Sequence, residues 1–249
     1  MRPKGSIEIT ARDIRIMQFA FEQRAISSEQ IRQRFFGMNQ STSVYRRLRG
    51  LVNDKYMSRI GIYHNGAMTN VFGLMDKGFQ RIRQGYRHEI THPYFKSDSP
   101  LHDIGLTAIR ARLEKYDMFA CYVSENMLQA CHEFANSTDY QPYALINSDA
   151  ALVLKGPTKE FRVALEFEAS DKKGFRYTKK LMQYYMSPEI VAVFYVCRDR
   201  HIENLIRVAD AEFASQFESK IYTCLEEVVH RSTTPLPFTN RINTTFLLK

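Results

Sequence analysis

Leu165-Glu-Phe-Glu-Ala-Ser170, LEFEAS in one-letter code, closes the apolar run FRVALEFEAS that begins at Phe161. Read as a strand, the run puts Glu166 and Glu168 on the same face, because side chains alternate along a strand. Two like charges side by side on a half-buried sheet are unfavourable. The stretch before it, YALINSDAALVLKG (Tyr143–Gly156), reads as the neighbouring strand, joined to FRVALEFEAS through the turn at Gly156-Pro157. That hairpin brings Asp149 close to Glu166. Three carboxylates at one end of a sheet are tolerable when a hard divalent cation neutralises them. Mg²⁺ or Mn²⁺ held this way polarises a phosphoryl oxygen and acidifies a bound water, the chemistry of phosphodiester cleavage.

Working outward, an amphipathic helix with Leu101, Ile104, Ile109 and Leu113 runs from Pro100 to about Tyr116, and MFACYVS reads as a strand. After LEFEAS comes the helix GFRYTKKLMQYYM, with Phe175, Leu181 and Tyr185 on its buried side and Tyr184-Tyr185 read as packing residues. EIVAVFYVC is continuously apolar, as in a strand buried on both faces. A helix around Glu203 to Phe217 follows, and RINTTFLLK reads as a late edge strand. The order helix, strand, strand, strand, helix, strand, helix implies an α/β core with a mixed sheet.

Upstream of the polar, proline-bearing stretch His88–Pro100, read as a linker, the pattern changes. Thr10 is a plausible N-cap for a helix with Ile14, Met17 and Phe21, and Ser27 with Gln30 forms a capping-box pattern for a second. A third helix, from about Gln40 to Tyr56, has the inner stripe Val44, Leu48 and Leu51. Two short strands around His64-Asn65-Gly66 and a helix from Asp76 complete a winged helix-turn-helix pattern. In that architecture the third helix enters the major groove. Thr42, Ser43, Arg46, Arg47 and Arg49 are its DNA-binding candidates, with Asn65 in the wing. The expectation is an α+β chain of two domains: residues 1–90 as winged helix, residues 91–249 as α/β core.

Charge follows this division. Up to Lys96 there are 17 Lys/Arg and 7 Asp/Glu, a net +10; after it, 18 and 20, a net −2. A basic domain beside a nearly neutral one suggests a nucleic-acid anchor attached to a second module. The four cysteines form no CxxC pair and read as small buried hydrophobes in a reduced, cytoplasmic setting. No apolar run is long enough for a membrane span, and the first residues lack a secretory h-region.

The acidic pattern in SDAALVLKGPTKEFRVALEFEAS, with RYTKKLMQYY after it, resembles the PD-(D/E)xK nuclease core. A winged helix ahead of that core is similar to the replication-relaxation family and, more narrowly, to the MobC class of plasmid relaxases. The resemblance covers nearly the whole chain and implies a restriction-endonuclease-like fold in a bacterial cytoplasmic protein. It also implies metal-dependent nicking of double-stranded DNA at a transfer origin, with other mobilisation or coupling proteins as partners. Asp149, Glu166 and Glu168 match its acidic, metal-holding positions. Glu168 stands where the common pattern has lysine, so the lysine role falls to Lys172 or Lys173, just past the strand, or to Lys180 on the following helix. "PD" reads "SD" here. No H-x-H metal motif of the tyrosine relaxases occurs. Two alternatives remain open: a DNA-binding regulator with a degenerate nuclease core, and a restriction-like endonuclease that cuts both strands.

Overall fold

A computed structural model describes the chain except residues 1–6, 38–40, 65, 92, 94, 95, 173 and 232–234. It is an α+β protein that divides into two compact units, Met1–Ala108 with Ala130–His132, and Ile109–Gln129 with Glu133–Lys249.

The first unit opens with α1 (Ala11–Gln23), β1 (Ile26–Ser27) and α2 (Ser28–Phe35). Both helices start at reciprocal capping boxes, Thr10 with Asp13 and Ser27 with Gln30. Such a cap is worth about 1 kcal/mol. Next come α3 (Ser41–Asn53), β2 (Met57–His64), β3 (Ala67–Leu74) and α4 (Asp76–Arg83). β2 and β3 pair antiparallel from Met57 opposite Leu74 to His64 opposite Ala67, and β1 pairs with the other edge of β3. Ile16, Met17, Phe21, Ile31, Val44, Leu48, Leu51 and Phe79 form the core. The inner stripe expected for α3 is therefore buried, while Thr42, Ser43, Arg46 and Arg49 are exposed. Gly78 is required in α4, because a Cβ there would run into the Tyr56 carbonyl oxygen.

The stretch His88–Pro100 is tied within this unit: Ile90 bridges Cys131, and Thr91 N donates to Ala130 O at 2.9 Å. The division between units falls inside α5 (Pro100–Leu113).

The second unit contains β4 (Phe119–Ser124), α6 (Glu125–Ala130), α7 (His132–Asn136), α8 (Gln141–Ile146), β5 (Ala150–Lys155), β6 (Glu160–Glu168) and α9 (Gly174–Tyr185). It continues through β7 (Val193–Cys197), α10 (Arg200–Ala211), β8 (Ile221–Leu225), α11 (Glu226–Arg231), β9 (Leu236–Asn240) and β10 (Thr245–Leu248). One seven-stranded sheet runs β10-β9-β8-β7-β6-β5-β4. β6, β7 and β8 are parallel, connected through α9 and α10, and the remaining pairs are antiparallel. β7 is buried along its whole length, as its unbroken apolar run implies.

Three sequence expectations are corrected. Tyr143–Ile146 is helical rather than extended: Pro142 sits in the first turn of α8, and Asn147 closes the helix in the left-handed region at φ +55°. The strand begins only at Ala150, so Asp149 immediately precedes it. Phe175, expected on the buried side of α9, is 66% exposed; Ile221–Leu225 adds a strand inside the sheet, and the expected late edge strand is β10. Finally, Cys131, Cys197 and Cys224 are buried, but Cys121 is exposed. No helix among the described residues is long and apolar enough to cross a membrane.

Candidate functional site

The β5–β6 pairing sets the geometry. Ala150 lies opposite Leu165, which places Asp149 opposite Glu166 at the same end of the two strands. Asp149 Oδ2 accepts the Phe167 amide at 2.7 Å, locking this carboxylate across the hairpin. Its own carbonyl accepts the Glu125 amide at 2.8 Å, so the start of α6 meets the same end. Glu166 and Glu168 occupy the C-terminal end of β6, and both are only 4% exposed. The parallel register places Tyr195 beside Glu166 and Cys197 beside Glu168 on β7.

What neutralises the two glutamates is visible in their partners. Lys180, on α9, brings its ammonium to 3.2 Å from Glu166 Oε1. The same ammonium donates to the carbonyls of Ile146 at 3.0 Å and Asn147 at 2.9 Å. These carbonyls lie at the end of α8, where helix termini leave acceptors unsatisfied. All three donors of the ammonium are thereby engaged. Tyr184, one residue on from Gln183 along α9, donates its hydroxyl to Glu166 Oε1 and lies 2.8 Å from Ser148 Oγ. Lys172 Nζ lies 2.7 Å from Glu168 Oε1. Lys173 and Asn65 lie outside the described residues.

The electrostatics follow from this packing. Burial raises the Glu166 carboxyl, and the charges of Asp149 and Glu168 add to the rise. Lys180 and Tyr184 pull the other way, and the balance leaves it pushed up to about 7. Lys180 is raised: burial opposes its charge, but Glu166, Asp149 and Glu125 together outweigh burial. Burial also raises the Tyr195 phenol, with the charges of Glu166, Glu168 and Asp149 adding to it. The Tyr195 hydroxyl is buried and has no hydrogen-bond partner among the described residues.

These groups suit a hydrated hard cation in kind. Mg²⁺ is held through one or two carboxylates, with waters and phosphate oxygens completing its shell. Both protein contacts to Glu166 fall on Oε1, and the orphaned Tyr195 hydroxyl lies amid the same negative charges. No group of three or more His, Cys, Asp or Glu side chains is placed to hold a metal among the described residues. Asp149 and Glu166 are the two carboxylates that the β5–β6 register sets opposite each other. Tyr195 and Glu125 were not singled out by sequence reasoning. Tyr184 was read as packing, and only the fold shows that its hydroxyl meets a glutamate.

In the first unit the α3 candidates separate. Arg47 turns inward and forms a two-pronged ion pair with Asp13, also donating to the Glu8 carbonyl. Asp13 is fully buried; burial works to raise its carboxyl, but the bonds from Arg47 and Thr10 hold it below the usual value. Ser43 and Arg46 line a concavity with the start of α1, whereas Arg49 lines another with Arg59 and Asn70 of β2 and β3.

No protein-family model matches the chain, and no curated protein matches it. Among solved structures, the crystal structure of smu.1604c from Streptococcus mutans UA159 aligns over 89% of this chain and 97% of that one, at 12% identity with a TM-score of 0.25.

Proposed function

We propose that the protein is a metal-dependent DNA endonuclease that nicks one strand, with a winged helix in the first unit choosing the DNA. The observation that carries this reading is the facing of Asp149 and Glu166 across the β5–β6 hairpin, with the Lys180 ammonium beside Glu166. Asp149 and Glu166 hold the metal in this reading, and Glu168 assists. A divalent cation bound there would polarise a phosphodiester and acidify a water. Lys180 is a positioning residue in this reading: it holds Glu166 Oε1 through the ion pair at 3.2 Å. Lys172, four residues past β6 and partly exposed, pairs with Glu168 Oε1 at 2.7 Å and would place positive charge beside a phosphate bound there. The helix order α1-α2-α3, the β2–β3 hairpin and the basic first third of the sequence support DNA as the substrate. The relaxase role at a plasmid transfer origin, with mobilisation or coupling proteins as partners, rests on the family resemblance.

A second reading is favoured by one specific observation. The three donors of Lys180 are already engaged, and the protein itself compensates Glu166. A DNA-binding regulator with a closed, inactive core has this arrangement. A supercoiled plasmid carrying the DNA that flanks the gene separates the readings when incubated with Mg²⁺ or Mn²⁺ and with EDTA. Metal-dependent open circles support nicking, and linear product supports a restriction-like enzyme. Intact binding without cleavage supports the regulator.

A further inference from the structure

The concavity between the first turns of α1 and the first half of α3 has a volume of about 740 Å³. Four arginines line it: Arg12, Arg15, Arg46 and Arg47. Asp13 is the only carboxylate among the described residues that line it, and Arg47 and Thr10 hold it in a buried network. That pair cancels its own charge. Arg15 and Arg46 make no hydrogen bond or ion pair with any described residue. Among the described residues Arg12 meets only the face of Phe36, with its guanidinium carbon 4.5 Å from the ring centroid. Stacking fixes the guanidinium plane and leaves its edge donors unused. Three guanidiniums thus share one concavity, none of them paired with a carboxylate of a described residue, and the exposed Ser43 adds a hydroxyl to it. Like charges gathered this way repel unless an anion joins them. Planar forked donors fit phosphate oxygens best.

We infer that this concavity, through Arg12, Arg15, Arg46 and Ser43, binds a backbone phosphate of duplex DNA independently of sequence. The inference rests on the DNA-binding part of the proposed function, but not on cleavage. It assigns Arg46 to the backbone rather than to a base edge. Phosphate contacts set the register of a protein on DNA and carry no sequence information. They do carry the salt dependence of binding, about one unit of slope per neutralised phosphate contact.

The test is fluorescence anisotropy with several unrelated 20-base-pair duplexes, from 50 to 300 mM KCl, on the full chain. Arg15→Gln with Arg46→Gln is the variant of choice, because neither side chain holds the fold together. Lys115→Gln, in the second unit, is the control. The expected result is a loss of affinity that is the same for every duplex, with the log–log salt slope reduced by about one, the value for a single phosphate contact. An unchanged slope and affinity would overturn the assignment. So would a loss confined to one duplex, which would make Arg46 a base reader. A third arm measures a mononucleotide by calorimetry. Mononucleotide binding lost in the variant while duplex affinity stays intact would also overturn it, and would mark a nucleotide pocket instead. If wild-type protein binds the duplexes but never cuts plasmid, the nuclease reading fails and this inference stands.

Discussion

Lys180 Nζ stands 3.2 Å from Glu166 Oε1 and is held there by the two carbonyls that end α8. The two residues thus form one unit, with Glu166 buried and Lys180 about a quarter exposed. Removing either charge leaves the other exposed to the full cost of burial.

Lys180→Met should therefore destabilise the protein by about 3–5 kcal/mol at pH 8, the range for a buried pair broken from one side. The loss should shrink at pH 5, where Glu166 can take up a proton and become neutral. Urea unfolding at the two pH values checks this. An equal loss at both would mean that the lysine acts through packing alone.

The raised Glu166 carboxyl also predicts how the wild type responds to pH. An unfolded glutamate releases its proton near 4.5, whereas the folded one keeps it until about 7. Between these values the native state binds more protons, so stability attributable to Glu166 falls as pH rises. Above about 7 the whole penalty is present. Glu166→Gln should flatten this part of the stability profile. A fall of the same size in wild type and variant would contradict it.

The hydroxyls around the glutamates should separate sharply. Tyr184→Phe removes a donor to a buried carboxylate and should cost about 1.5–3 kcal/mol. Tyr195→Phe removes a buried hydroxyl that has no partner and should be neutral or stabilising. Thermal melts of the two variants, side by side, give the comparison.

In the first unit, Asp13→Ala should cost about 3–5 kcal/mol, because it leaves Arg47 without its partner and removes the reciprocal half of the α1 capping box. The Asp13 carboxyl is held below 3.8, so its contribution is present above that pH and lost on further acidification. A double-mutant cycle with Arg47→Met isolates the pair. A coupling energy near zero would make the two contributions independent.

The parts of this fold legible in the sequence are those where one period dominates. The α3 stripe Val44, Leu48 and Leu51 and the β7 run Val193–Cys197 both read correctly because burial was continuous. Tyr143–Ile146 misled, since four apolar or aromatic residues fit either period and Pro142 was the only helix signal. Ile221–Leu225 alternates weakly with polar Thr223, and its assignment needs the neighbours β7 and β9. The pairing of Asp149 with Glu166 was legible because a hairpin relates them locally. The roles of Tyr184 and Lys180 were harder to read: the helix spacing places both on α9, but only the packed fold shows that each reaches Glu166. Arg47 looked like its neighbours along α3, and its inward turn depends on Asp13, 34 residues away.

The central claim is that the acidic pair at the start of β5 and the end of β6 performs chemistry on DNA. The most direct measurement is the nicking rate of Asp149→Asn against wild type, on the plasmid described above with Mn²⁺. Asparagine keeps the side-chain oxygen that meets the Phe167 amide and removes the charge. The account predicts wild-type nicking, at least about a hundredfold slower in the variant, with DNA binding and melting temperature retained. A variant that nicks at the wild-type rate, or a wild type that binds the plasmid and never cuts it, would contradict the account.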